Sequence, residues 1–183
     1  MAKMIPVGYL AKRVVPKPEF LKAPQVVDIF SVSNCVNDDF ADYIGYWKHN
    51  GYWLFDSPEI MRGLAEEHAI SLDGISLFYY EAYELEFDGR SWSPVTAEPS
   101  LETRVSPPLH RRLEGFDVVT FFARNAPECS PLSCNSLAEE VPTNSHCLFE
   151  SFEQAETALN EGVFEEGEPA PYRIFAVYSV DWP

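Results

Sequence analysis

No stretch of this 183-residue chain stays apolar for the roughly 18 residues that a membrane-spanning helix requires, which removes the helical membrane classes from the expectation. Basic residues are scarce: 13 Lys and Arg stand against 29 Asp and Glu, a net charge of −16. A surface that acidic repels phosphate backbones and anionic lipid, so neither nucleic acid nor membrane is expected as a partner. The opening residues MAKMIPVGYLAKRVV contain no uninterrupted apolar core and no small-residue cleavage site, so a soluble, cytoplasmic protein is expected. There are only 4 cysteines, read as thiols rather than as a disulfide framework. Phosphate loops, dinucleotide fingerprints, HExxH and GxSxG are all missing.

What is present is enough for a folded core. Hydrophobic residues make up 46% of the chain and aromatics 14%, the composition of a globule. Charge is uneven. Lys3, Lys12, Arg13, Lys17 and Lys22 face only Glu19 at the N-terminus, so residues 1–25 read as a basic strap across an acidic body, with Pro6, Pro16 and Pro18 forbidding a continuous helix.

The chain also resembles itself. A shift of 94 residues lays Asn50 on Asn144, Leu54-Phe55 on Leu148-Phe149, Ser57 on Ser151, Glu59 on Glu153 and Cys35 on Cys129. These matches occur in order. They predict an internally duplicated α+β fold: one unit over 26–87, a proline-containing connection over 88–115 and a second unit over 116–183, each strand–helix–strand–helix–strand, sharing one mixed sheet in a single compact domain.

Local signals fill in the units. Gln25–Val32 and Phe116–Phe122 read as buried opening strands. Asn37 reads as the cap of a helix running to Gly51, with Phe40, Tyr43, Ile44 and Trp47 on its apolar face. Tyr52–Phe55 and His146–Phe149 read as short strands, each leading into a capped helix. Ser57-Pro58-Glu59 begins one helix and Ser151-Phe152-Glu153-Gln154 the other. Ile75–Phe87 and Tyr172–Trp182 alternate as long closing strands. A short helix is expected over Cys134–Glu140, and a short edge strand over Glu102–Val105.

Candidate chemistry is concentrated between Cys129 and Cys147. Cys129, Cys134, His146 and Cys147 have ligand types that suit tetrahedral zinc, although His146 and Cys147, adjacent on a strand, would point to opposite faces. Cys129 or Cys134 with His146 and Asn135 or Asn144 could instead form a cysteine nucleophile with its base and orienting amide. Buried thiols packed as small hydrophobes account for the same residues more simply. No cofactor is otherwise expected. Glu81, on an apolar strand face, reads as a hydrogen-bonded carboxylate, and His110-Arg111-Arg112 as a solvated basic patch. Trp47, His49, Asn50 and Tyr52 lie in a stretch dense in aromatics with polar tips, the composition of a recognition surface. The leading functional expectation is an acidic binding protein that recognises a basic protein partner, in the manner of an inhibitor or immunity protein. The alternative is a small metal-binding protein or cysteine-dependent enzyme built on Cys129–Cys147.

Overall fold

The computed structural model describes residues 2–44, 50–99, 102–122 and 126–183. Its frame is a curled antiparallel sheet. Strand β1 is Met4–Arg13, β2 the two residues Asp38–Asp39, β3 Ser76–Phe87, β4 Trp92–Pro94, β5 Arg112–Thr120 and β6 Tyr172–Val180. The order across the sheet is β2-β1-β3-β6-β5, with β4 also paired to β3. Every pairing is antiparallel, so the expected mixed sheet is corrected. Strand pairs joined by antiparallel registers need no buried crossover helices, and the few helices here pack on the sheet without weaving through it.

The two long alternating runs form strands as expected, and β3 and β6 pair with each other at the centre from Leu77↔Val180 to Phe87↔Tyr172. The N-terminal segment is a correction. Met4–Arg13, expected within a strap, lies between β2 and β3, because Val7 and Tyr9–Ala11 bury almost completely there. That burial outweighs the cost of bringing Lys12 inside. Conversely, Gln25–Val32 is not a strand. Val26, Ile29 and Val32 plug the core from a coil whose Val27 and Asp28 amides donate to the Ser145 carbonyl, and Phe30 N donates to His146 O. Glu102–Val105 is likewise coil.

Helix α1, Phe40–Ile44, is what the described residues contain of the helix expected from Asn37. Its cap is Asp39, whose Oδ1 accepts from Asp42 N at 3.2 Å. Helix α2, Pro58–Glu67, begins at Ser57 with proline at its start and buries Met61 and Ala65. Helix α3, Pro131–Cys134, is followed by a 3-10 turn at Leu137–Glu139, so the helix expected over 134–140 is shifted upstream and broken. Helix α4, Phe152–Asn160, is capped by Ser151 Oγ, which accepts from Gln154 N at 3.2 Å.

Tyr52–Phe55 and His146–Phe149 are not strands but tight turns that each touch the sheet through one bridge, Tyr9↔Phe55 and Phe116↔Phe149. Their geometries match closely. Asn50 Nδ2 donates to Val7 O at 2.7 Å while its Oδ1 accepts from Tyr52 N and Leu54 N at 3.1 and 3.2 Å. Asn144 Nδ2 donates to Glu114 O at 2.7 Å while its Oδ1 accepts from His146 N and Leu148 N at 2.9 and 3.1 Å. Trp53 and Cys147 then take the left-handed conformation at φ 58° and 61°. Under each turn a glycine of the sheet makes room. A Cβ on Gly8 would stand 2.7 Å from Phe55 O, and one on Gly115 2.6 Å from Phe149 O, and both glycines have positive φ.

Candidate functional site

The sheet's register places Lys12, Tyr80 and Asp117 on the same face, where the coil 31–35 and the segment 128–134, which includes α3, cover them. Lys12 is 1% exposed, and its Nζ donates to Ser31 O at 2.8 Å and to Ser33 O. Asp117 is completely buried. Its Oδ2 accepts from Ser31 Oγ at 2.7 Å and from Val32 N at 3.0 Å, and its Oδ1 accepts from Ser130 Oγ at 2.6 Å. Two loops distant in sequence are thereby pinned to one carboxylate.

Burial sets the protonation of this network. Desolvation lowers Lys12 to about 8 against the pull of Asp39, Asp117, Cys35 and Asp42. Desolvation raises Asp117 despite its hydrogen bonds from Ser130, Ser31 and Val32. It raises Asp39 too, with Lys12 opposing. The Tyr80 hydroxyl, which burial pushes far up, has no hydrogen-bond partner among the described residues.

Above this network sits the functional candidate. Cys35 follows the Ser31–Ser33 loop, Cys129 forms a bridge with Thr120 at the end of β5, and Cys134 closes α3. Their three Sγ atoms all lie within 4.8 Å of one another. Cys35 is exposed, Cys129 buried and Cys134 intermediate. As a thiol, Cys35 donates to Glu128 O at 2.9 Å. Hydrogen bonds from Cys129 and Cys134 favour its ionised form and hold its pKa well below the usual thiol value, helped by Ser33 and the Lys12 ammonium and opposed by burial. Cys129 is pushed up by its hydrogen bonds with Cys134 and Cys35 and by burial. On Cys134 the bond with Cys129 pulls downward, but the bond with Cys35 and burial outweigh it. A cavity of about 510 Å³ is lined by Asn34 and Glu128, the chain neighbours of Cys35 and Cys129, together with Asp39, Asp42 and Trp53.

The donor set differs from the one expected. Cys129 and Cys134 come together, but their third partner is Cys35, not His146 or Cys147. His146 Nδ1 shares a hydrogen bond with Asp28 Oδ1 at 2.6 Å, and its ring stacks on Phe30 at 3.9 Å. Cys147 is buried in the left-handed position of its turn, its thiol pushed up by burial. The amides offered as orienting groups are engaged elsewhere: Asn144 builds the turn, and Asn135 Oδ1 accepts from Glu168 N at 3.0 Å. Three sulfurs at this spacing can share one soft ion, since Zn–S bonds of about 2.3 Å set tetrahedral sulfurs about 3.8 Å apart.

Of the residues read as a recognition surface, Trp47 and His49 lie outside the described residues, while Asn50 and Tyr52 are buried. Tyr52 meets Phe175 edge-on and lies under the Arg173 guanidinium. Glu81 accepts from Tyr79 and Tyr178 hydroxyls at 3.2 and 3.0 Å and from Arg111 at 2.8 Å. Arg112 pairs with Glu114 at 2.8 Å. Lys12 and Asp117 are site residues whose role local sequence does not show. The available signal was a lone aspartate inside the apolar run Phe116–Phe122.

No family model, no curated protein and no solved structure matches the chain.

Proposed function

We propose that the protein is a thiolate metal-binding protein, with Cys35, Cys129 and Cys134 holding a thiophilic d10 cation of the zinc class. The observation that carries this reading is the mutual approach of the three Sγ atoms within 4.8 Å, drawn from two loops. Soft thiolates select such ions over magnesium or calcium. The exposed Cys35 gives the ion a way in, and the nearby Lys12 charge offsets part of the negative charge of three thiolates. Four free thiols suit a reducing, cytoplasmic setting. The test is a titration of metal-free, reduced protein with Zn²⁺ in competition with a chromophoric chelator. One ion per chain is expected, with binding lost in Cys35→Ser and kept in Cys147→Ser. Binding that survives Cys35→Ser, or no binding at all, sinks the reading.

A second reading keeps the basic protein partner, in the manner of an inhibitor or immunity protein. It is supported by the net charge of −16 and by an apolar groove along α4, formed by Val141, Phe149, Ala158 and Val163 and flanked by the carboxylates of Glu153 and Glu161. Recovery of a basic protein on the immobilised chain at low salt, and its loss at high salt, is the expected result.

The internal duplication is likewise a proposal. The matched Asn50 and Asn144 turns, each closing over a positive-φ glycine and each followed by a serine-capped helix and a long central strand, support descent from one doubled unit. On this reading the first copy opens at β1. Superposition of β1, α2 and β3 on β5, α4 and β6 tests it, and a fit no better than that of unrelated segments sinks it.

A further inference from the structure

We propose that Cys35 is the entry point for thiol–disulfide exchange with small disulfides, and that Cys129 or Cys134 then resolves the adduct into an intramolecular disulfide. The activity goes beyond metal binding. It uses the same sulfurs but requires them metal-free, and it stands whether or not the metal reading does.

Access decides the first step. Exchange needs the attacking sulfur to meet a disulfide along its S–S axis, so a buried thiol is shielded from a bulky reagent. Among the four cysteines Cys35 is the exposed one, Cys129 and Cys147 are buried and Cys134 is intermediate. Cys35 Sγ lies over the chain just before Cys129, reaching the Glu128 carbonyl at 2.9 Å. A small disulfide therefore meets Cys35 first.

Proximity decides the second step. An adduct on Cys35 stays within 4.8 Å of two further sulfurs, whereas Cys147 is outside the group. Closing such a contact to an S–S bond of about 2.05 Å requires movement of coil and of the end of a four-residue helix, not of the sheet. The chemistry balances. Cys35 Sγ, its proton given to solvent, bonds to one sulfur of the small disulfide, whose S–S bond breaks and releases a thiolate that takes up a proton. Cys129 or Cys134 Sγ, likewise deprotonated, then bonds to Cys35 Sγ and expels the second thiolate, which is protonated in turn. Two protein thiols are oxidised and the small disulfide is reduced to two thiols.

The product ties the loop pinned above Lys12 to the segment that follows β5. It also removes two of the three sulfurs from metal coordination, so disulfide and ion exclude one another.

The experiment uses reduced, chelator-treated protein and cystamine at neutral pH, with time-resolved peptide mapping. Release of both halves of cystamine is expected, with Cys35 joined to Cys129 or Cys134 and Cys147 unmodified. Cys35→Ser should slow the release about tenfold or more. Cys129→Ser/Cys134→Ser should hold the adduct as a mixed disulfide on Cys35. The map of the unsubstituted protein serves if a variant fails to fold. A first adduct on any other cysteine, a lasting mixed disulfide on Cys35 in the unsubstituted chain, or no reaction overturns the proposal. A chain that exchanges in this way but binds no Zn²⁺ sinks only the metal reading. A chain that binds Zn²⁺ while Cys35 stays inert sinks only this one.

Discussion

Ser31 Oγ donates to Asp117 Oδ2 at 2.7 Å, across 86 residues of sequence. Ser130 holds the other oxygen of the same carboxylate, and Lys12 holds the carbonyls of Ser31 and Ser33. The cysteine loops are thus positioned by a polar network that is itself buried. Such networks are costly to leave half-made, and the consequences are measurable.

Removing the cation from this network should be severe. Lys12→Met removes the donor to the Ser31 and Ser33 carbonyls and the through-space attraction on Asp39 and Asp117, and buried acceptors left without a donor cost about 1–3 kcal/mol. Lys12→Met/Asp117→Asn should recover part of that loss, because the uncompensated charge is gone. Urea denaturation of the single and double variants checks the prediction. A single variant as stable as the parent would show that Lys12 does not neutralise this site.

Lys12 also gives stability a pH dependence with a definite sign. Its folded-state pKa is lowered to about 8 from 10.5, so the folded protein binds the proton more weakly than the unfolded chain. The resulting penalty is fully present below about 8 and is relieved as pH rises toward 10.5. Thiols titrate in the same window, so the quantity to measure is the stability difference between the parent protein and Lys12→Met. That difference should shift in favour of the parent between pH 8 and 10.5. A flat difference would contradict the depressed lysine.

The two asparagine turns should respond alike to the same substitution. Asn50→Ala removes the acceptor of Tyr52 N and Leu54 N, and Asn144→Ala that of His146 N and Leu148 N. Buried amides left without an acceptor cost about 1–3 kcal/mol. Comparable losses in thermal or chemical denaturation are expected from both. A large loss from one and none from the other would show that the matching geometry does not carry matching weight.

Glu81 adds to the burial that raises two tyrosines. Burial, and after it the Glu81 charge, pushes Tyr178 up to about 12, and the same causes push Tyr79 up. Glu81→Gln keeps a hydrogen-bond acceptor while removing the charge, so both phenols should ionise at lower pH. Ultraviolet tyrosinate titration reads this directly. An unchanged titration would mean that burial alone accounts for the rise.

The elements legible in the sequence were those whose signal is local. Ser57-Pro58-Glu59 announces α2 because proline fixes the first helical turn, and the Ser151–Gln154 box announces α4 because Ser151 satisfies an amide of its own helix. The alternation of β3 and β6 shows because each of these strands places neighbouring residues on opposite faces. Phe116–Thr120 lies within β5, whereas Gln25–Val32 is coil, and the reason is the converse one. Val26, Ile29 and Val32 bury as fully from a coil as from a strand, and composition does not separate the two. β1 was obscured by its charges, because burying Lys12 depends on carbonyls of Ser31 and Ser33 that the local sequence does not reveal.

The pairs Asn50/Asn144 and Leu54-Phe55/Leu148-Phe149 stood in the sequence by themselves, and so did the acidity and the four thiols. Which thiols meet was decided only by the tertiary structure. Cys129 and Cys134 lie five residues apart, yet the sulfur that completes their group comes from Cys35, on a loop that reaches it by sharing Asp117. Spacing along the chain records what can be neighbours within one loop or one turn. It carries no trace of a neighbour delivered by the folding of a sheet, because that approach is fixed by strand register and buried charge.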